Sequence, residues 1–207
     1  MLKQPTSSFF VLLCPETNSK KQNTNVFLIV LIFGRMMYWT SGTKYPSKIE
    51  KAEMTGKERV VLLSSWGLYP NGLTLDQEQN RLYWVDGSYH KLEYLDLNLN
   101  TRVNLISSSY LLPYPFGLTL LGDHLYWTDR QLGTVYRANK TGGDVTKFVV
   151  NIGQPRDIHG YNVSEHATPG KREDPLLIWE LFSLSRTSLF VSQWLPSILK
   201  LVQIDRF

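Results

Sequence analysis

Short stretches of alternating apolar and polar residues recur along the middle of the chain, separated by turn-forming residues. Leu73–Leu75 alternates after an Asn-Gly pair, and Arg81–Val85 brings β-branched and aromatic residues after the polar loop 76–80. Leu92–Leu95 and Val103–Ile106 continue the pattern. Alternation with a period of two is typical of half-buried β-strands. The sequence therefore predicts four short strands between residues 66 and 109.

Three sequence elements repeat in constant order. Tyr-Trp pairs stand at 38–39, 83–84 and 126–127, which are 45 and 43 residues apart. The other two elements keep the same phase: Pro-Asn-Gly-Leu-Thr-Leu at 70–75 with Pro-Phe-Gly-Leu-Thr-Leu at 115–120, and Lys-Ile-Glu at 48–50 with Lys-Leu-Glu at 91–93 and Thr-Val-Tyr at 134–136. Four antiparallel strands in a unit of about 40 to 45 residues match the size of a β-propeller blade.

The repeated residues have distinct predicted roles. Adjacent side chains on a strand face opposite ways, so each Tyr-Trp pair is expected to pack against both neighbouring blades. The carboxylates of Asp86 and Asp129, which close two of these motifs, are expected to accept backbone N–H groups at turns. Gly72 and Gly117 are expected where backbones approach closely near the propeller axis.

The Tyr-Trp-Thr-Asp wording over about residues 34–162 resembles the class B repeats of the low-density lipoprotein receptor family. The wording of 37–40, 46–50, 70–76, 122–129 and 157–159 is similar to the receptor-related members that act as Wnt co-receptors. The family forms six-bladed propellers, so the resemblance implies about three of six blades. Three positions depart from the family pattern: Ser41 replaces Asp, Val85 replaces Thr, and Arg130 replaces a frequent Trp.

These observations predict an all-β, partial Tyr-Trp-Thr-Asp β-propeller with non-propeller ends. Blades are expected at about 27–65, 66–109 and 110–152, followed by a further innermost strand at 154–162. Residues 1–26 are expected to be a disordered segment, and 163–207 a tail with helical structure. The apolar run Val26–Phe33 has the outline of a signal-peptide core, although a buried strand is the favoured interpretation.

The resemblance implies an extracellular, protein-binding receptor module at the outer face of the plasma membrane, joined to the membrane through parts beyond this chain. The implied ligand is a Wnt protein or a secreted Wnt antagonist, and the implied module is not an enzyme. Three alternatives stay open: an endocytic lipoprotein receptor, a propeller hydrolase that a calcium-dependence assay would reveal, and a truncated product without function.

Composition narrows the function classes. The 207 residues are 43% hydrophobic and 19% charged, which suits a folded core. Residues 36–162 hold 13 Lys/Arg and 12 Asp/Glu without a basic stripe, so nucleic acid is not an expected partner. No catalytic motif, cofactor or small-molecule substrate is predicted. No metal site is expected from the histidines at 90, 124, 159 and 166. The aspartates at 76, 86, 123 and 129 lie at strand ends, which favours turn capping over a metal site.

Aromatic residues in the loops that enter the innermost strands are the candidate partner contacts. Tyr69 and Tyr114 occupy equivalent positions before the two Pro-x-Gly motifs, and Trp66 lies in the first of these loops. Exposed aromatics are frequent binding hot spots, although packing against a neighbouring blade is an equal alternative. Two glycosylation sequons begin at Asn139 and Asn162, both in predicted surface turns. The single cysteine, Cys14, excludes a disulfide within the chain.

Overall fold

In the computed structural model of the chain, the strands 9–13 and 26–31, residues 36–41 and 46–162, and the strands 187–195 and 198–204 are described. Side chains are described within 36–41 and 46–160. Every regular element among these residues is a β-strand, which confirms the all-β prediction. None of the described elements is a helix that could cross a bilayer.

Two complete four-stranded sheets form the centre of the fold. Both are antiparallel, and their strands pair in sequence order. Blade 2 consists of β6 (Pro70–Asp76), β7 (Arg81–Asp86), β8 (Lys91–Asp96) and β9 (Thr101–Ser107). Blade 3 consists of β10 (Pro115–Leu121), β11 (His124–Asp129), β12 (Thr134–Asn139) and β13 (Thr146–Val149).

The flanking sheets continue the same arrangement. Blade 1 has five strands, paired in order: β1 (Phe9–Leu13), β2 (Val26–Leu31), β3 (Met36–Ser41), β4 (Ser47–Glu53) and β5 (Val60–Ser65). Blade 4 has three strands: β14 (Pro155–Asn162), β15 (Thr187–Leu195) and β16 (Ile198–Ile204). The apolar run that begins at Val26 is thus a strand, as favoured from the sequence.

Both ends of the chain differ from the sequence prediction. Residues 1–26 were expected to be disordered, but Phe9–Leu13 pairs antiparallel with Phe27–Leu31 as an additional strand of blade 1. The expected helical tail at 163–207 instead contains β15 and β16, which extend the sheet begun by β14. Within these stretches the strands Phe9–Leu13 and Thr187–Leu195 contain several β-branched and aromatic residues, and available strand edges favour pairing over a helix.

Aromatic residues fill the gaps between blades as the repeat predicts. Trp84 packs with Tyr38 between blades 1 and 2, and Trp127 packs with Tyr83 between blades 2 and 3. Tyr126 packs with residues that include Ile158 of blade 4. The pairs at 83–84 and 126–127 therefore each contact both neighbouring blades, and full burial of each large side chain contributes roughly 1.5–3 kcal/mol.

Blades 2, 3 and 4 approach closely at two glycines in their innermost strands. A Cβ atom on Gly117 would lie 2.7 Å from the Arg156 carbonyl oxygen and 2.9 Å from the Ile158 nitrogen. A Cβ on Gly72 would likewise meet the backbone of residues 116–118. The predicted close approach is confirmed at both positions, and it sets the blades side by side.

Candidate functional site

One end of the blades, here called the aromatic end, is formed by the loops that enter each innermost strand and the turns that follow each Tyr-Trp strand. The Gly87 N–H donates to the Tyr69 carbonyl at 3.0 Å, and the Arg130 N–H donates to the Tyr114 carbonyl at 3.1 Å. These bonds place loops 66–69 and 108–114 beside turns 87–90 and 130–133.

Buried aspartates hold each pair of loops together. The Asp86 carboxylate accepts the Tyr69 N–H at 3.1 Å, the Ser88 N–H at 2.8 Å and the Tyr89 N–H at 2.7 Å. The carboxylate is fully buried. A buried carboxylate that accepts several backbone N–H groups is strongly stabilised, so the loop that carries Tyr69 has a defined position.

Asp129 repeats this arrangement in blade 3. It accepts the Tyr114 N–H at 2.8 Å, the Gln131 N–H at 3.0 Å and the Leu132 N–H at 2.9 Å. The turn role predicted for both aspartates is confirmed. The Asp129 carboxylate thus joins loop 108–114 to turn 130–133, as Asp86 joins loop 66–69 to turn 87–90. These bonds stabilise the blades and also fix the positions of the loops at the aromatic end.

The three candidate aromatic contacts differ in exposure. Trp66 is 71% exposed and Tyr114 is 38% exposed, whereas Tyr69 is half-buried beside Gly87. The Tyr89 hydroxyl donates to the Trp66 carbonyl at 3.0 Å and joins the Trp66 loop to the neighbouring turn. Trp66 and Tyr114 are thus at the surface of the aromatic end, and Tyr69 lies between this surface and the core.

Sequence reasoning missed further residues at this end. Tyr110, which is 74% exposed, and Tyr89, which is 44% exposed, lie in the same loop system. Tyr110 shares its loop with Tyr114, so loop membership alone would have indicated it. Arg130 was visible only as a departure from the repeat.

Arg130 is held by aromatic rings. Its guanidinium carbon lies 4.9 Å from the centre of the Phe116 ring and 5.7 Å from that of Tyr114. Burial lowers the pKa of Arg130 from its ordinary value, and the positive charge of Arg156 lowers it further. The aromatic end therefore carries concentrated positive charge next to Tyr114.

The opposite end of the blades is closed by ion pairs. The buried Lys140 ammonium lies 3.1 Å from carboxylate oxygens of both Asp76 in blade 2 and Asp123 in blade 3. Burial opposes this charge, but the hydrogen bonds to Asp123 and Asp76 raise the pKa of Lys140. Asp76 also accepts two backbone N–H groups of its turn. Lys140 therefore links the blade 2 turn at Asp76 to the blade 3 turn at Asp123. Asp123 thus pairs with a lysine, which differs from the turn cap expected from the sequence.

The sequon at Asn139 lies in the turn after β12. The Asn139 side-chain oxygen accepts the Thr141 N–H at 2.9 Å and the Thr141 hydroxyl at 2.8 Å. Asn139 is half-buried, Thr141 is exposed, and the intervening Lys140 is buried. Asn162 is the last residue of β14, and its side chain lies outside the described residues.

Two of the described histidines, His90 and His159, have polar partners within the fold. A ring nitrogen of His90 lies 2.9 Å from the Leu112 carbonyl, and His159 lies 3.0 Å from the Asp157 carboxylate. Burial opposes the charged form of His159, but the hydrogen bond to Asp157 raises its pKa. Across the described ranges, no three His, Cys, Asp or Glu side chains are grouped to hold a metal ion. Cys14 and His166 lie outside the described residues.

Comparison with known proteins identifies the repeat. The family model for the low-density lipoprotein receptor repeat class B matches residues 123–158. Low-density lipoprotein receptor-related protein 5 of Mus musculus is 39% identical over 108 residues, which cover 52% of this chain and 7% of that protein. The Homo sapiens protein of the same name matches with the same identity and coverage. The matched region is thus a small part of these relatives.

Solved structures share the architecture. A chain of the nidogen/laminin complex superposes with a TM-score of 0.57 at 28% identity, covering 63% of this chain and 49% of that chain. A gluconolactonase from Xanthomonas campestris gives a TM-score of 0.54 at 14% identity, covering 79% of this chain and 52% of its own. The second likeness shows the fold alone. Residues 123–158 thus match the low-density lipoprotein receptor class B repeat, and the blades of this chain are similar in sequence to a part of the lipoprotein-receptor-related proteins.

Proposed function

We propose that the chain is an extracellular protein-binding module of a lipoprotein-receptor-related receptor, and that it binds its partner at the aromatic end. The observation that carries the proposal is the exposure of Trp66, Tyr110 and Tyr114 on loops whose backbone is fixed by buried aspartates. Exposed aromatics on a fixed frame lose little conformational freedom on binding and are typical anchors of protein interfaces. The similarity to a chain of the nidogen/laminin complex adds support, since that structure is a complex between proteins.

Within this function, the finer proposal is a part in Wnt signalling at the outer face of the plasma membrane. It rests on similarity to low-density lipoprotein receptor-related protein 5 over about half of this chain and on the wording of the repeats. The partner would be a Wnt protein or a secreted Wnt antagonist. The competing assignment within the same family is an endocytic receptor for lipoprotein particles.

Trp66→Ala is expected to weaken binding roughly 30-fold, because truncation of an aromatic hot spot costs about 2 kcal/mol or more. The immobilised chain would be tested against three probes by biolayer interferometry: purified Wnt proteins, secreted Wnt antagonists and lipoprotein particles. Leu99→Ala is the matched control, because Leu99 is 74% exposed in the turn between β8 and β9 at the opposite end. Equal affinities of Trp66→Ala and the unaltered chain would contradict the proposal, and binding of lipoprotein particles alone would favour the endocytic assignment.

We also propose that Asn139 carries an N-linked glycan when the chain passes through a secretory pathway. The hydrogen bonds between Asn139 and Thr141 are compatible with a turn at the surface. When the chain is fused to a secretory leader and expressed in animal cells, it is expected to migrate more slowly in gel electrophoresis. Treatment with a glycosidase should reverse this shift. Thr141→Ala should remove the part of this shift that a glycan on Asn139 causes. Thr146→Ala is the control and should leave the shift unchanged, because Thr146 is an exposed threonine nearby that belongs to no sequon. Identical glycosidase-sensitive shifts of Thr141→Ala and the unaltered chain would refute the assignment.

A further inference from the structure

We propose that Arg130, which lies over the rings of Phe116 and Tyr114 beside the start of the strand that carries Arg156, forms a subsite that binds the carboxylate of an acidic residue in the partner protein. This inference rests on the proposed function and specifies the chemistry of the partner. The four residues, here called the arginine mouth, lie where β10 and β14 begin and where β11 ends.

Two aromatic rings position the Arg130 side chain. Phe116 and Tyr114 face the guanidinium group at 4.9 and 5.7 Å. Stacking on rings occupies the face of a guanidinium and leaves its N–H donors, which lie in its plane, able to bind a carboxylate. Aromatic contact thus positions Arg130 without using its hydrogen-bonding capacity.

Four other arginines of the described residues lie over aromatic rings, and three of these, Arg59, Arg81 and Arg102, pair with a carboxylate. Arg59 lies over Trp39 and pairs with Glu50 at 3.0 Å, while Arg102 lies over Trp84 and pairs with Glu93 at 2.6 Å. Within the described ranges, no carboxylate lies at ion-pair distance from Arg130. The fold therefore supplies a carboxylate for Arg59 and Arg102, whereas Arg130 and Arg137, which lies over Phe148, have none of the described carboxylates at ion-pair distance. Of these two arginines, Arg130 lies at the aromatic end.

The positive charge of Arg156 acts on Arg130. Burial and the charge of Arg156 both disfavour the charged form of Arg130, whose pKa is lowered accordingly. A bound carboxylate would offset the repulsion between the two positive charges and would accept hydrogen bonds from the Arg130 guanidinium group. Charge-assisted bonds of this kind are about twice as strong as neutral ones.

The two ends of the blades differ in their content of acidic residues. The loops and turns of the aromatic end at 66–69, 87–90, 108–114, 130–133 and 150–154 contain no Asp or Glu. The turns of the opposite end contain four: Glu58, Glu78, Asp123 and Asp144. An acidic partner would therefore meet less repulsion at the aromatic end than at the other.

Acidic side chains that do lie near the aromatic end are already engaged. Asp86 and Asp129 are buried and accept turn N–H groups. Asp157 accepts the Ile158 N–H at 2.9 Å and pairs with His159. The exposed aromatics Trp66 and Tyr110 beside these loops favour a peptide that combines acidic and apolar residues over a purely anionic ligand.

The test begins with selection of random twelve-residue peptides, displayed on phage, against the full chain. Enrichment of Asp and Glu among the selected sequences is expected. The most frequent peptide would be synthesised together with a version in which Asn and Gln replace its acidic residues. Arg130→Gln is expected to weaken the acidic peptide about tenfold, the loss of one charge-assisted contact, while its affinity for the amide version stays unchanged.

Two further variants separate charge from folding. Lys57→Gln removes the same charge from an exposed turn at the opposite end and should bind the acidic peptide as the unaltered chain does. Arg130→Lys keeps the charge without the planar donors and should retain part of the discrimination between the two peptides, with an unchanged circular dichroism spectrum as the check on folding.

The outcomes distinguish the two proposals. Selected peptides whose binding needs Trp66 but that are neutral or basic, or equal affinity of Arg130→Gln and the unaltered chain for the acidic peptide, would overturn the carboxylate subsite alone. Failure to select any peptide that depends on Trp66 or Tyr114 would overturn both the subsite and the proposed function. Acidic peptides that bind equally well to Arg130→Gln and Lys57→Gln would place the attraction outside the arginine mouth.

Discussion

Gly117→Ala is expected to lower the free energy of unfolding by about 3 kcal/mol, the upper part of the range for overpacking a tightly packed site. The added Cβ would meet backbone atoms of Arg156, Asp157 and Ile158 at 2.7 to 2.9 Å. Backbone cannot rotate away as a side chain can, so β10 and β14 must separate. Thermal and urea unfolding, followed by circular dichroism, would measure the loss.

Gly143→Ala is the matched control for this prediction. Gly143 has nothing within 4 Å of its built Cβ position and no positive φ. The same change of residue should therefore alter stability by no more than about 0.5 kcal/mol. Equal stabilities of the two variants would mean that blades 3 and 4 do not approach at Gly117 in solution.

The repeat made much of this architecture predictable. Positions that recur at a fixed phase share one environment, so the roles of Trp84 and Trp127 follow from period-two alternation along a strand. The aspartate turns were equally accessible, because a carboxylate after a strand has a limited set of backbone donors within reach. What one repeat reveals about a position applies to the next.

Predictability ended where one blade departs from the others. Glu50 and Glu93 each pair with an arginine nine residues later. In blade 3 the equivalent residue is Tyr136, which instead stacks on Trp127 with a centroid distance of 5.5 Å. In blade 3 an aromatic ring thus replaces the ion pair of blades 1 and 2, while the strand arrangement stays the same. The sequence around Tyr136 does not predict which side chain it contacts.

Long-range pairing was the second limit. The partners of Phe9–Leu13 and of β15 lie on other strands, and strand edges capture apolar segments whose local sequence also suits other structures. Lys140 illustrates the same limit for side chains. It belongs to a sequon that suggests exposure, yet carboxylates on two blades enclose it. The position of Arg130 over the rings of Tyr114 and Phe116 was likewise visible only in the structure.

Asp129→Ala is expected to lower the free energy of unfolding by about 3 kcal/mol and the unfolding midpoint by roughly 10 °C. The change leaves the N–H groups of Tyr114, Gln131 and Leu132 without their acceptor. An unsatisfied buried donor costs about 1–3 kcal/mol, and water can reach part of the exposed turn, so the three costs do not add in full. Differential scanning calorimetry of the purified chain would provide the measurement.

The same substitution tests how the fold serves the site. Asp129 joins the turn that carries Arg130 to the loop that carries Tyr114, so its loss should also weaken peptide binding at temperatures where the chain is still folded. Asp96→Ala is the control, because Asp96 accepts two turn N–H groups at the opposite end. It should cost about 1 kcal/mol and leave binding unchanged. Parallel losses of binding in both variants would show that general stability, and not the carboxylate between the two loops, maintains the aromatic end.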